Sequence, residues 1–354
     1  MRQPERVTSP LHLGEFRDII DVRAPHEFAE DHIPGAINLP VLNDAQHHEV
    51  GLLHASSPFE ARRLGATLIT ENIHAHLATT LAEKGADFDP LLYCWRGNMR
   101  SSSMAVIFRA IGWRARILDG GYKAWRKWLL ANLGNTFSPT KPELIVLGGL
   151  TGCGKTRLLH ELARQGAQVL DLEGLANHRG SILGTDPTRP QPSQRLFESS
   201  LWAAFQGFDP TRPVFTEAES NRIGSVHLPS DLWKRLGGGR LVLLDLPLLE
   251  RAKLLADDYE HFIEEPDSLK STLDGLRRLR GNDQVDEWHR QIEARDWPAF
   301  LSSILADHYD LVYRRPGSED SVYPVPEHSI DLPSCSFDDF EKAASDLIAR
   351  YHSC

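Results

Sequence analysis

Two stretches of the chain hold residues whose types and spacing can do chemistry. The first is Cys94-Trp95-Arg96-Gly97-Asn98-Met99-Arg100-Ser101. It follows an apolar run, Leu91-Leu92-Tyr93-Cys94, that reads as a buried strand, and it leads into a helical pattern from Ser101 to Ile111. A loop in that position turns successive backbone N–H groups inward and adds a helix N-terminus, which together stabilise an anion. Arg96 and Arg100 add positive charge. A free thiol titrates near ~8.5, and such surroundings favour the thiolate. Cys94 is therefore a candidate nucleophile with Arg96 and Arg100 beside it; the plainer alternative is a buried, inert cysteine.

The second stretch is Gly149-Leu150-Thr151-Gly152-Cys153-Gly154-Lys155-Thr156, which fits GxxxxGK[ST] at every fixed position. It lies between an apolar strand, Leu144-Ile145-Val146-Leu147, and a helical pattern from Thr156 to Gln165, the context in which that motif is meaningful. Gly149, Gly152 and Gly154 let backbone N–H groups approach phosphate oxygens, Lys155 neutralises their charge, and Thr156 can reach a phosphate-bound Mg²⁺. The motif specifies phosphate and not a nucleotide. Cys153 reads as a small space-filler. Asp245, at the end of an apolar strand, reads either as a metal-side acid or as a cap on the next turn; Glu217 and Glu219 follow another strand and are equivalent candidates.

These loops need sheets to position them. Ile19-Ile20-Asp21-Val22 and Ala115-Arg116-Ile117-Leu118 read as further strands of the first half. Val169-Leu170-Asp171, Val214-Phe215-Thr216 and Leu241-Val242-Leu243-Leu244-Asp245 do so in the second. Strands alternating with helical patterns imply α/β architecture with mostly parallel sheets. The chain from Pro247 onward reads as largely helical, with a last helix near Phe337 to Tyr351. A turn-rich stretch, Gly134 to Pro142, divides the halves, giving domains over 1–133 and 143–354 with a linker at 134–142. The prolines Pro187, Pro190 and Pro192 mark a long loop.

Composition narrows the class. At 354 residues with 41% hydrophobic and 25% charged side chains, the chain is an ordinary globular protein with room for two domains. No stretch approaches the ~18 apolar residues of a membrane span, and the start, Met1-Arg2-Gln3-Pro4-Glu5-Arg6, has no apolar core of a signal peptide. The four cysteines (Cys94, Cys153, Cys335, Cys354) form no CxxC pair, so neither a zinc site nor a disulfide framework is expected, and a reducing cytoplasm is the natural compartment. The net charge of −10 means that any nucleic-acid contact must come from a local basic face. Arg277-Arg278-Leu279-Arg280 and Arg314-Arg315, the latter after Tyr309 and Tyr313, offer basic residues near aromatics. They read as RNA contacts or as a solvated helix face.

The first half resembles a rhodanese domain over roughly residues 10–130. The resemblance rests on Asp21-Val22-Arg23, on His32-Ile33-Pro34-Gly35-Ala36-Ile37-Asn38-Leu39-Pro40, on the loop from Cys94 to Arg100, and on Asp119-Gly120-Gly121-Tyr122-Lys123-Ala124-Trp125. It implies that Cys94 carries sulfur or selenium and that Arg100 closes the loop; Asp21 and Arg23 either take part or brace the scaffold. Coupled to a P-loop half, the whole chain resembles the tRNA 2-selenouridine synthase family. Within the second half the stretches Asp171 to Ser181, Gln191-Pro192-Ser193-Gln194, Phe197-Glu198 and Glu219-Ser220-Asn221-Arg222-Ile223-Gly224 carry that resemblance. One departure follows Val50-Gly51, where Leu52-Leu53-His54-Ala55 stands in place of the Thr-x-Tyr-Lys expected of the family.

The family resemblance implies a rhodanese-like parallel-sheet domain followed by a P-loop NTPase-like α/β domain. It also implies a reaction: exchange of sulfur for selenium at C2 of a wobble 5-substituted 2-thiouridine in tRNA. Selenophosphate is the donor, and an S-geranylated intermediate is made from geranyl diphosphate. On that basis the loop from Gly149 to Thr156 holds geranyl diphosphate, with Mg²⁺ an optional companion, and Cys94 serves the selenation half. The partners implied are the tRNA anticodon stem-loop and a selenophosphate-supplying enzyme. His178, Arg179 and Arg222 are candidate substrate contacts, or else form internal ion pairs with Glu173 or Glu219. An ATP-dependent tRNA sulfurtransferase or kinase with a fused persulfide carrier is the competing enzyme reading.

Overall fold

The computed structural model describes residues 5–8, 10–137, 142–178, 189–258, 266–312 and 321–352. The chain divides into two units, one of residues 1–136 with 192–203 and one of residues 137–191 with 204–354.

The first unit is built on a five-stranded parallel sheet. Its strands are β1 (Glu5–Val7), β2 (Ile19–Asp21), β3 (Ala36–Asn38), β4 (Leu91–Tyr93) and β5 (Arg116–Leu118), in the order β1-β5-β4-β2-β3. β2 and β4 are buried at every position, as expected of central strands covered on both faces. The helices are α1 (Pro25–Glu30), α2 (Asp44–Ser56), α3 (Pro58–Ala78), α4 (Met99–Ile111) and α5 (Gly121–Thr136). α4 buries Ser101, Met104, Ala105 and Phe108, the i, i+3, i+4, i+7 stripe of a helix facing a sheet. α5 buries Tyr122, Trp125, Leu129 and Leu133 in the same way and runs to Thr136, through the start of the turn-rich stretch expected to be linker.

The second unit repeats the plan. Its parallel sheet has the order β12-β11-β6-β8-β7, built from β6 (Leu144–Gly148), β7 (Gln168–Leu170), β8 (Val214–Glu217), β11 (Arg240–Asp245) and β12 (His328–Asp331). A two-residue antiparallel pair, β9 (Arg222–Ile223) and β10 (Val226–His227), stands apart from it. α6 (Lys155–Arg164), α7 (Leu172–Ala176), α8 (Gln194–Gln206) and α9 (Ser230–Gly237) lie between the strands in sequence, and α15 (Phe337–His352) closes the chain. The expected helical region follows β11 as α10 (Leu248–Asp258), α11 (Pro266–Asp274), α12 (Arg277–Arg280), α13 (Asn282–Glu293) and α14 (Trp297–Ile304). These helices form their own apolar cluster around the fully buried Trp288.

The first part of α8 belongs with the first unit although it lies in the second half of the sequence. Trp202 meets Trp125 edge-on at 5.0 Å between ring centres, Glu198 takes the guanidinium of Arg126, and Arg195 pairs with Glu30 at 2.8 Å. Stacked and edge-on indoles bury large apolar areas, enough to bind this segment to α5 despite its distance along the chain.

In each sheet the crossovers place one of the two candidate loops at a switch point. After β2 the chain moves outward to β3, whereas after β4 it moves the other way to β5; after β6 it moves to β7, whereas after β8 it returns past β6 to β11. Where neighbouring parallel strands send their connections to opposite faces, a crevice opens beyond their carboxyl ends. The loop after β4 carries Cys94, and the loop after β6 is the glycine-rich one.

Candidate functional site

The cysteine loop is held from below by the start of α5. Tyr122 N–H donates to the Cys94 carbonyl at 2.9 Å and Lys123 N–H to the Trp95 carbonyl at 3.0 Å. Gly121 makes this approach feasible: its φ is +57°, and a Cβ there would overlap the Cys94 carbonyl oxygen and lie 2.5 Å from Gly97 N. Arg6 donates to the Gly97 carbonyl at 3.2 Å and to Asp119 at 2.9 Å, tying the loop to the edge strand.

Cys94 itself is 3% exposed and belongs to the same buried apolar cluster as Ile20, Val22, Met104 and Ala105. Its Sγ lies 3.4 Å from Ser101 Oγ, in the first turn of α4. Asn98, the N-cap of α4, supplies no side-chain cap, so the first amides of α4 are not taken up by that residue. Trp95, Arg96, Asn98 and Met99 of the same loop are exposed. The side chain of Arg96 makes no ion pair among the described residues. Arg100 does not turn to the thiol. It is clamped by Glu27 through contacts of 2.5 and 3.2 Å. Burial alone would raise the Glu27 carboxyl, but the hydrogen bond and charge of Arg100, with the Ala24 amide, outweigh it and hold the group below its ordinary range. Burial and the same guanidinium push the nearby His47 down.

Asp21 and Arg23 are scaffold. Both are almost wholly buried and paired to each other at 2.6 to 3.0 Å; Arg23 also donates to the Asp31 carbonyl at 2.6 Å. Asp31 Oδ2 accepts the Tyr122 hydroxyl at 2.7 Å. A buried pair with its remaining donors satisfied fixes geometry more than it stabilises.

In the second unit Gly149, Gly152 and Gly154 all have positive φ, and α6 starts at Lys155 without a side-chain cap. Gly154 must be glycine: a Cβ would come within 2.8 Å of the Phe340 ring. Lys155 Nζ donates to the Gly149 carbonyl at 3.3 Å, folding across the loop it closes. From α10, Arg251 Nε donates to the Thr151 carbonyl at 2.9 Å while Asp310 takes its other nitrogens at 2.6 and 3.0 Å. This clamp spans 100 residues of sequence and has no local signature. Cys153 is buried behind the loop, and burial pushes its thiol up, which suits a space-filler.

The carboxylates at the ends of β7 and β8 converge on the loop. Thr156 Oγ1 donates to Glu173 Oε2 at 3.1 Å, and Glu173 N–H donates to Glu217 Oε1 at 2.8 Å. Burial, then the charge of Glu219, pushes Glu173 up to about 8, and the two carboxyls hydrogen-bond each other. Burial raises Glu217 well above the ordinary carboxyl range. Glu173 is the functional candidate that sequence reasoning treated only as an ion-pair partner; the pattern Asp171-x-Glu173 directly after a short strand is the signal that finds it. Asp245 ends β11 and is exposed. Among the described residues no group of three or more His, Cys, Asp or Glu could hold a metal ion. Mg²⁺ is ordinarily held by one or two carboxylates plus phosphate oxygens and not by a protein cage; Glu173 and Glu219 are the carboxylates beside Thr156 that could contribute.

The family-like stretches of this unit meet through Gln191. Its side chain donates to the Ala176 and Ile223 carbonyls at 3.1 Å each and accepts from Ser225 N–H at 2.7 Å. This joins the end of α7, beside which His178 stands, to the β9–β10 turn that carries Arg222. Arg222 is exposed and donates to the Gly224 carbonyl at 2.8 Å, so it forms no ion pair with Glu219. Arg277 is committed to Asp274 and Asp286, at 2.9 and 2.7 Å, while Arg278 is exposed. Arg179, Tyr313, Arg314 and Arg315 lie outside the described residues.

Comparison with known proteins covers both halves. The family model described as "tRNA 2-selenouridine synthase AAA domain" matches residues 142–322, and the rhodanese-like domain model matches residues 3–127. Similar full-length proteins bear the name tRNA 2-selenouridine synthase. One from Hydrogenovibrio crunogenus is 34% identical over 323 residues, covering 83% of this chain and 88% of that protein. One from a Sulfurovum species is 34% identical over 327 residues, with 83% and 87% covered. One from Alcanivorax borkumensis is 33% identical over 328 residues, with 83% and 88% covered. Among the described residues no helix is long and apolar enough to cross a membrane.

Proposed function

Because the chain belongs to the tRNA 2-selenouridine synthase family, we propose that it replaces sulfur by selenium at C2 of a wobble 5-substituted 2-thiouridine in tRNA, with selenophosphate as donor and an S-geranylated intermediate. The observation that carries this reading is the presence on one chain of two loop-to-helix cradles after central strands, one with Cys94 beside the first turn of its helix and one with its cysteine buried behind the loop. A thiocarbonyl sulfur is a poor leaving group. Alkylation by geranyl diphosphate converts it to a thioether whose departure as geranylthiol is easier; the uracil N3 proton is lost and pyrophosphate leaves.

The glycine-rich loop is the element suited to that pyrophosphate. Its amides and Lys155 stabilise negative charge that grows as the carbon–oxygen bond breaks. Glu173 and Glu219 beside it are hard oxygen groups that could help hold a diphosphate-bound Mg²⁺. The Cys94 loop serves the second half: the selenium of selenophosphate attacks C2, the geranylthiolate departs and takes up a proton, and water cleaves the remaining Se–P bond to release phosphate. The uncapped start of α4 and Arg96 suit an anionic selenium donor, and Cys94 assists the thiol's departure.

Nucleoside mass spectrometry after incubating tRNA with protein, geranyl diphosphate and selenophosphate tests the scheme. The wild-type chain should yield 2-selenouridine. Cys94→Ala should accumulate the S-geranyl nucleoside, and Lys155→Ala should leave 2-thiouridine unchanged yet still convert RNA geranylated beforehand. Equal loss of both steps in both variants would reject the division of labour.

A further inference from the structure

Trp95 is the aromatic residue of the cysteine loop, and it is 36% exposed. An indole is among the costliest side chains to leave in water, and a ring placed there by the loop's own backbone calls for a use. Its position is fixed. The indole lies 5.3 Å from the Tyr122 ring, tilted by 33°. Tyr122 in turn is 2% exposed, has the Arg23 guanidinium 4.0 Å from its ring centre, and is anchored through its hydroxyl to Asp31. The backbone carbonyl of Trp95 is held by Lys123 N–H at 3.0 Å. The exposed ring therefore rests on a rigid buried one, adjacent in sequence to Cys94. Beside it Arg96 is exposed with no ion pair among the described residues, and Met99 is 64% exposed.

A flat ring held firm beside an unpaired guanidinium is the surface on which proteins take an unstacked RNA base with its phosphate. A merely greasy lip would need neither the rigid support nor the cation. Building on the RNA substrate proposed above, we propose that the open face of Trp95 is the platform on which the target uracil stacks when its C2 is presented to Cys94, and that Arg96 takes an adjoining phosphate. This moves the base-reading contact from the Arg277–Arg280 helix, where Arg277 is already paired with carboxylates, to the cysteine loop.

The test uses the full chain and an anticodon stem-loop RNA carrying 2-aminopurine at the wobble position, whose fluorescence is quenched on stacking against an aromatic ring. Wild type and Trp95→Phe should bind and quench. Trp95→Leu, which keeps apolar bulk but no ring, should lose the quenching and bind about 5- to 150-fold more weakly, the range expected for one lost base–aromatic stack. Its melting temperature should stay that of wild type, since the ring is not core. Equal quenching and affinity in Trp95→Leu overturn the proposal. So does a loss in Trp95→Phe as large as in Trp95→Leu, because that marks a packing role for the indole. Failure of the functional scheme reads out separately, as absence of 2-selenouridine from the wild-type reaction.

Discussion

Substituting Gly121 by alanine probes how the cysteine loop is held. Two terms add. The backbone there has φ +57°, in the left-handed region that disfavours an L side chain by about 1–2 kcal/mol. The new methyl would also overlap the Cys94 carbonyl oxygen and sit 2.5 Å from Gly97 N and 3.0 Å from Arg96 C. Those are main-chain atoms and cannot rotate aside as a side chain would, so the overlap is an overpacking term of about 1–3 kcal/mol. The expected loss is about 2–5 kcal/mol, relieved in part by pushing the loop off the start of α5 and breaking the Tyr122-to-Cys94 hydrogen bond. Gly35→Ala is the internal control: its φ is +80°, but a Cβ there meets nothing within 4 Å, so only the backbone term of about 1–2 kcal/mol applies. Urea denaturation of both variants followed by tryptophan fluorescence gives the stability difference. A thiol-labelling rate for Cys94 and nucleoside analysis give the functional one. Gly121→Ala should label faster and fail in selenation while S-geranylation persists. A variant as stable as Gly35→Ala, with the wild-type labelling rate and full selenation, would refute the reasoning.

Two further outcomes follow from buried charge. Arg23→Ala should destabilise the first unit by about 3–5 kcal/mol, because it strands the fully buried Asp21 carboxylate; a denaturation loss under about 1 kcal/mol contradicts the scaffold role. Glu173 titrates near 4.5 when unfolded but near 8 when folded, so between those values the folded state holds a proton that the unfolded state has released. Stability contributed by this group is complete below pH 4.5 and declines as pH rises through 8. Melting temperatures across that window should fall with pH in the wild-type protein and fall less steeply in Glu173→Gln; identical slopes refute the assignment. Glu217 and Glu219 are raised in the same direction, so the slope shrinks in that variant without vanishing.

The central strands and both functional loops were legible because apolar runs and glycine spacing are local signals. Of the four edge strands only β7 was, from Val169-Leu170. β1, β3 and β12 are three or four residues long and partly exposed, and Glu5-Arg6-Val7 or His328-Ser329-Ile330-Asp331 carries no run to read. Asp21 and Arg23 stood between two roles in the sequence because type and spacing do not report burial; at 0% and 1% exposure they brace the sheet. Arg100 reads in the sequence as a cation that closes the loop, but its partner was not legible: Glu27 lies 73 residues earlier and becomes a neighbour only when β2 and β4 pair. The placement of Pro192–Ala203 with the first unit was invisible for the same reason: three indoles, Trp125, Trp128 and Trp202, meet across a gap that no window of sequence spans.

The two cradles share a physical logic and differ in what fills them. Each is a loop after a central parallel strand at a switch point, followed by a helix whose first amides lack a side-chain cap. Such a site stabilises negative charge without committing to a chemistry. The difference comes from the cysteine in each. Cys153 turns into the apolar core beneath the glycine loop and is pushed toward the neutral thiol, so that cradle can hold an anion but cannot attack. Cys94 is also set in apolar packing, but its Sγ lies beside the Ser101 hydroxyl in the first turn of α4, the helix end that favours negative charge. Under the proposed scheme the first cradle would release the diphosphate and the second would serve the displacement, one for each step.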